Sequence, residues 1–165
     1  ISHGQHRRIL KRYFIDDRVK VIDQLTKKIT YNIFGYKNNP VWCQEFFNQL
    51  CKCSMALNIS RGQPIKYYSS DRISSLLGNG LLTFIHHNYC YQDFFNKNEI
   101  VTYKNISDLN KKILFFKKNK KLSKKIASEG HKKAHKIFNN KTISDFIVKK
   151  TMEIKINSDL KWINV

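Results

Sequence analysis

Four short apolar runs, separated by helical periodicity, set the narrowest limit on what this chain can fold into. They cover residues 30–34, 54–59, 81–87 and 99–103. Before the first, Leu10, Phe14, Val21, Ile22, Leu25 and Ile29 recur at helical spacing across residues 7–29, with Asp16-Asp17 as an internal break. Between the first and second, Pro40 suits an opening helical position, and residues 41–50 continue as a helix with Trp42, Phe46 and Leu50 inward. Between the second and third, Ser69, Ser70 or Asp71 can cap a helix that reaches about Leu77 and stops at Gly78-Asn79-Gly80. After Tyr103 the pattern is helical throughout. Ser107 is a plausible cap, Leu122, Ile126, Ala134 and Ile137 stay in register, and Ile143, Phe146, Ile147 and Ile154 follow; residues 157–165 are ambiguous.

Short buried strands alternating with helices form a parallel sheet covered on both faces. The expectation is an α/β fold: a Rossmann-like parallel sheet of about four or more strands, helices on both faces, and extra C-terminal helices. The length of 165 residues suits one domain. We expect a lead-in over residues 1–17, the domain over 18–148 and a tail over 149–165. The chain opens on Ile1, and its first residues read as mid-protein sequence, so a fragment of a longer protein is expected.

Sheets of this kind bind ligands outside the carboxyl ends of their strands. The loop after the second strand is the longest and most polar of those ends. It holds Arg61, Gly62, Lys66, Tyr67, Tyr68, Ser69, Ser70, Asp71 and Arg72, and a helix opens at its close. A helix N-terminus offers unpaired N–H groups and a positive dipole end. Gly62 lets backbone approach a ligand, and a guanidinium at Arg61 or Arg72 grips a diphosphate with two donors. The plainer reading is that Ser-Ser-Asp only caps the helix and Arg72 pairs locally.

Other chemistry is sparse. There is no GxGxxG after a strand, no Walker A loop, no GxSxG, no His-Glu-x-x-His and no Asp-x-Asp. His86-His87 end a strand and read as a surface pair, while His131 and His135, one helical turn apart among lysines, read as solvated. Cys43, Cys51, Cys53 and Cys90 fit no zinc spacing and read as reduced, partly buried thiols. No apolar run nears the roughly 18 residues that span a bilayer.

The formal net charge of +19 favours anionic partners, although Lys, Asn and Ile abound everywhere, as in a compositionally biased proteome. From Lys111 to Lys136 there are 11 lysines and one acidic residue, Glu129. This basic face is either simply solvated or meets an acidic membrane or nucleic acid.

The order of these elements resembles the C-terminal, donor-binding domain of GT-B glycosyltransferases, most closely the glycosyl transferase group 1 proteins of the CgeB-like kind. The residues that carry the likeness are "IFGY" (33–36), "MALNISRG" (55–62), "DRISSLLGNGLLTFI" (71–85), "EIVTYKNISDLNKKI" (99–113) and "LSKKIASEGHKKAHKIF" (122–138). The resemblance implies one half of a GT-B fold. It implies a metal-free transferase that moves a sugar from a nucleoside-diphosphate sugar to a glycan, lipid or protein acceptor. Asn58 and the loop Arg61, Gly62, Lys66, Tyr68, Ser69, Ser70, Asp71 and Arg72 would then face the donor. Arg72 matches the family's arginine, but the acidic position that follows it falls on Ser75, which puts the usual donor contact in question; Asp71 is the nearest substitute. The catalytic base of such enzymes usually lies in an N-terminal domain, so no base is named here and this chain alone is expected to be inactive. A cytoplasmic location is expected, with the inner membrane face as the second. Two further possibilities stay open. One is a non-catalytic basic module for nucleic acid or anionic membrane; the second is a scaffold that has lost donor binding.

Overall fold

The computed structural model describes residues 7–9, 12–14, 17–36 and 38–156. The ambiguous stretch 157–165 lies outside the described residues.

The long opening helix does not form. Strands β1 (Arg7–Ile9) and β2 (Arg12–Phe14) pair antiparallel, Arg7 opposite Phe14, and helix is confined to α1 (Asp17–Asp23). The periodicity after Asp23 is overridden from a distance. Asn110 accepts from the Thr26 N–H at 2.8 Å and donates to the Gln24 carbonyl at 3.0 Å, while Lys117 Nζ donates to the Lys28 carbonyl at 2.7 Å. Backbone groups that would extend the helix are thus taken by side chains of a later helix.

The first expected strand, residues 30–34, is also absent as a strand; it is reduced to an isolated Phe34–Asn38 bridge. Asn38 donates its side-chain N–H to the Ile33 carbonyl at 2.8 Å, and Gly35 turns the chain at φ +80°. The segment still contributes apolar mass, since Ile33 is buried. The parallel sheet among the described residues therefore has three strands, ordered β3 (Met55–Asn58), β4 (Leu82–His86), β5 (Val101–Tyr103), rather than four.

β4 is the centre. Leu82, Thr83, Phe84 and Ile85 are all at most 1% exposed, as a strand covered on both faces requires. Leu82 and Phe84 face a cluster with Leu109, Ile113 and Phe116 of α4 (Ile106–Lys118). Ile85 faces the opposite cluster, with Ile73 and Leu77 of α3 (Asp71–Gly78). Burying each of these large side chains stabilises the fold by about 1.5–3 kcal/mol. α5 (Lys120–Ile137) serves both layers, through Ile126 and Ala127 on the α4 side and Ala134 and Ile137 on the α3 side.

α2 (Cys43–Cys51) buries Leu50 but leaves Trp42, its N-cap, 64% exposed instead of inward. α4 is capped by Asn105, which accepts from the Asp108 N–H at 2.9 Å, two residues ahead of Ser107. The extended backbone at Asn105 lets its side chain reach that donor. α6 (Asn140–Thr151) buries none of its residues, so Ile147 and Val148 remain exposed rather than packed. His131 and His135 are not simply solvated. Their rings meet at 4.3 Å between centroids and bond the carbonyls of Leu77 (3.3 Å) and Gly78 (3.1 Å) in the last turn of α3. All four cysteines are free thiols, Cys43 and Cys51 exposed, Cys53 and Cys90 half-buried. No helix among the described residues is long and apolar enough to cross a membrane.

Candidate functional site

The three parallel strands end together at Asn58, His86 and Tyr103, and these residues line a cavity of about 330 Å³. A second cavity, of about 400 Å³, adjoins it through Ser60, Gln63 and Tyr89. Its walls carry Arg18, Arg61 and Arg72, together with Tyr68. These are the three arginines whose side chains the structure describes, and among the described side chains no carboxylate lines either cavity. Lys20 adds a further positive charge at the neighbouring wall.

Arg72, in the first turn of α3, is half-buried and reaches back to the end of β3. It donates to Asn58 Oδ1 at 3.2 Å, to the Ile59 carbonyl and to Ser60 Oγ at 3.4 Å. Asn58 is 3% exposed, so this charged donor, Nη1 in all three contacts, satisfies a buried amide oxygen while fixing the start of the loop. Burial pushes the Arg72 guanidinium below its ordinary value, and the Arg18 charge acts in the same direction.

The expected site residues separate into two groups. Asn58, Arg61, Gly62, Tyr68 and Arg72 come together around the crevice. Gly62 adopts φ +70° with open space around its missing side chain. Lys66, Ser69 and Asp71 line neither cavity of the crevice. The Lys66 ammonium lies 4.6 Å from the Tyr67 ring centroid, and Tyr67 donates to Asp93 Oδ2 at 2.8 Å. Ser69 faces a separate, largely apolar cavity of about 440 Å³. Asp71 is exposed in the first turn of α3. Ser70 is the N-cap by backbone, yet its hydroxyl makes no capping bond and is buried without a partner among the described residues. Ser75, one turn beyond Arg72, does not line the crevice.

Arg18 lies outside the expected set, although it is only 5% exposed and helps form the crevice wall. Its signal in the sequence is an arginine in the apolar phase, four residues after Phe14 and four before Ile22.

His86 is also more than a surface residue. It is half-buried, edge-on to Tyr103 at 5.2 Å, and its Nδ1 accepts from the Asn88 N–H at 3.2 Å. Burial lowers its pKa, outweighing a backbone hydrogen bond at Lys104 that raises it; the His87 charge lowers it further. The folded chain therefore holds fewer protons here than the unfolded chain near pH 6. His86 stabilisation is fully present above about pH 6.5 and is lost as pH falls through the lower folded value. Thermal melts should show a fall in stability from about pH 7 to pH 5 that is smaller in His86→Gln. Equal slopes in both proteins would contradict this assignment.

A family model described as glycosyl transferase-like matches residues 5–149 of this chain. No curated protein and no solved structure matches it.

Proposed function

This chain belongs to the glycosyl transferase-like family, and on that premise we propose that it is the donor-binding domain of a GT-B glycosyltransferase of the group 1, CgeB-like kind. Its substrate is a nucleoside-diphosphate sugar, and the acceptor is a glycan, lipid or protein. The observation that carries this reading is the convergence of Arg18, Arg61 and Arg72 on one cavity at the carboxyl end of β3.

As the glycosidic bond breaks, negative charge builds on the leaving diphosphate. Guanidiniums already held in place stabilise that charge without reorganising. Arg18 and Arg61 contact the diphosphate, and Arg72 holds Asn58, Ile59 and Ser60 so that the loop presents its groups to it. The sequence offers no Asp-x-Asp pair to carry a metal ion, so the arginines themselves balance the diphosphate. Ser75 supplies no contact in place of the family's glutamate, which leaves sugar recognition to other groups. A second Rossmann-like domain brings the acceptor and the catalytic base, and transfer takes place in the cleft between the two. Such a protein works on the cytoplasmic side, where nucleotide sugars are made.

Titration calorimetry with UDP, GDP and their sugars tests the proposal. One of these nucleotides should bind, and Arg61→Ala should weaken it about tenfold, the loss of one charge-assisted contact. No heat with any of them, or an Arg61→Ala chain that binds as tightly as the parent, would refute it.

A further inference from the structure

Two positively charged clusters stand at opposite edges of the sheet, one carried by Arg18, Arg61 and Arg72 and the other by lysines. The crevice lies at the carboxyl ends of the strands. The residues leading into β3 and β4, Ser54 and Gly80, line a different cavity of about 690 Å³ at the amino ends. Lys117, Lys120 and Lys124 stand around it, with Ser123 and Ser128 as hydroxyl donors. Among the described residues, none of these three lysines is in an ion pair; Lys117 donates to the Lys28 carbonyl at 2.7 Å. Glu129, the one acidic residue between Lys111 and Lys136, is taken by Lys132 at 2.8 Å.

Apolar side chains break the surface in the adjoining terminal turns of the same two helices. Phe115 is 50% exposed, four residues before the α4–α5 junction at Asn119, and Leu122 is 40% exposed, three residues after it. Large apolar groups set among lysines outside ion pairs make an amphipathic surface of the kind that enters a headgroup layer.

We propose that the α4–α5 junction docks this domain on an anionic lipid surface, with Lys117, Lys120 and Lys124 receiving phosphate headgroups and Phe115 and Leu122 entering the acyl boundary. Lipid is favoured over nucleic acid for two reasons. Neither helix carries an arginine, the residue best suited to forked phosphate contacts. Leu122 has no π-face on which a base could stack. Docking here leaves the crevice at the opposite edge open. The inference does not depend on the proposed donor site, because it uses none of its residues.

Vesicle flotation is the test, using phosphatidylcholine alone and phosphatidylcholine mixed with phosphatidylglycerol. The chain should float with the mixed vesicles only. Lys120→Ala/Lys124→Ala should bind them about twenty-five-fold more weakly, roughly fivefold for each lysine near an anionic surface. Phe115→Ser/Leu122→Ser should lose at least about tenfold on the same vesicles, through apolar area no longer buried. All four side chains are exposed, so thermal melts of the variants should match the parent. Unchanged vesicle binding by Phe115→Ser/Leu122→Ser would overturn the proposal. So would tighter binding to single-stranded or duplex DNA than to mixed vesicles at equal phosphate concentration.

Discussion

Gly130→Ala is expected to lower the stability of this chain by about 3 kcal/mol or more, although alanine is the better helix former by nearly 1 kcal/mol. Gly130 lies in the interior of α5, where propensity alone recommends the substitution. An alanine Cβ there would stand 2.1 Å from the backbone oxygen of Glu99 and 3.6 Å from Leu77 Cδ2. The first contact is with backbone, so no side-chain rotation relieves it. α5 would have to lift from the segment that leads into β5, and Ala134 and Ile137 would move with it, away from Ile85 and Ile100. For a chain of this size the loss corresponds to a fall of about 10 °C in melting temperature. Differential scanning calorimetry of Gly130→Ala beside Gly78→Ala gives the contrast. Gly78 has open space where its side chain would be, so its variant should melt close to the parent. Equal melting of Gly130→Ala and the parent would show that the helix and the segment before β5 are not in this close contact.

Arg72→Ala should be the most damaging change at the crevice, and it should damage two properties at once. The substitution leaves the Asn58 amide oxygen and the Ile59 carbonyl without their charged donor. Hydrogen bonds to charged groups contribute about 1.5–3 kcal/mol, and the buried acceptors left behind bear the full cost of desolvation. A loss of about 2–3 kcal/mol is expected, seen as a lower urea midpoint at unchanged slope. Arg72→Lys should recover only part of the loss: all three acceptors meet one nitrogen, Nη1, and the shorter lysine side chain does not carry its ammonium to that position. Nucleotide affinity should fall with stability, since the loop from Ser60 onward loses its anchor. Arg61→Ala separates the two effects: Arg61 is exposed on the same cavity, so its loss should weaken binding and leave the midpoint alone. If Arg72→Ala unfolds at the parent's midpoint, its role is not the positioning described here.

The separation between readable and unreadable parts follows the range of the forces involved. β4 is legible in the sequence because its side chains are buried on both faces, and such a strand must be written as an unbroken run with no outward polar phase. α3 and its stop are legible for local reasons too, since Ser70 begins the helix and Gly80 turns the chain at φ +70°. Residues 24–29 carry a genuine periodicity that misleads, because the partners of the Gln24, Thr26 and Lys28 backbone lie 84 or more residues away, on Asn110 and Lys117. Trp42 misleads because exposure depends on what packs opposite, which periodicity does not contain. The histidines of α5 look solvated in sequence because the carbonyls they bond belong to α3, more than fifty residues earlier.

The same division holds at the site. The sequence by itself determined the fold class, the polar loop after the second expected strand and the family, because each rests on local pattern or on the order of motifs. Only the tertiary structure decided which polar residues share a cavity. It brought in Arg18 from the opening helix, turned Arg72 inward as a strut, and moved Lys66, Ser69 and Asp71 off the crevice. Composition supplies charge without direction. The sheet supplies the direction, because its carboxyl and amino edges are opposite ends of one layer, and packing places Arg18, Arg61 and Arg72 at one and Lys117, Lys120 and Lys124 at the other.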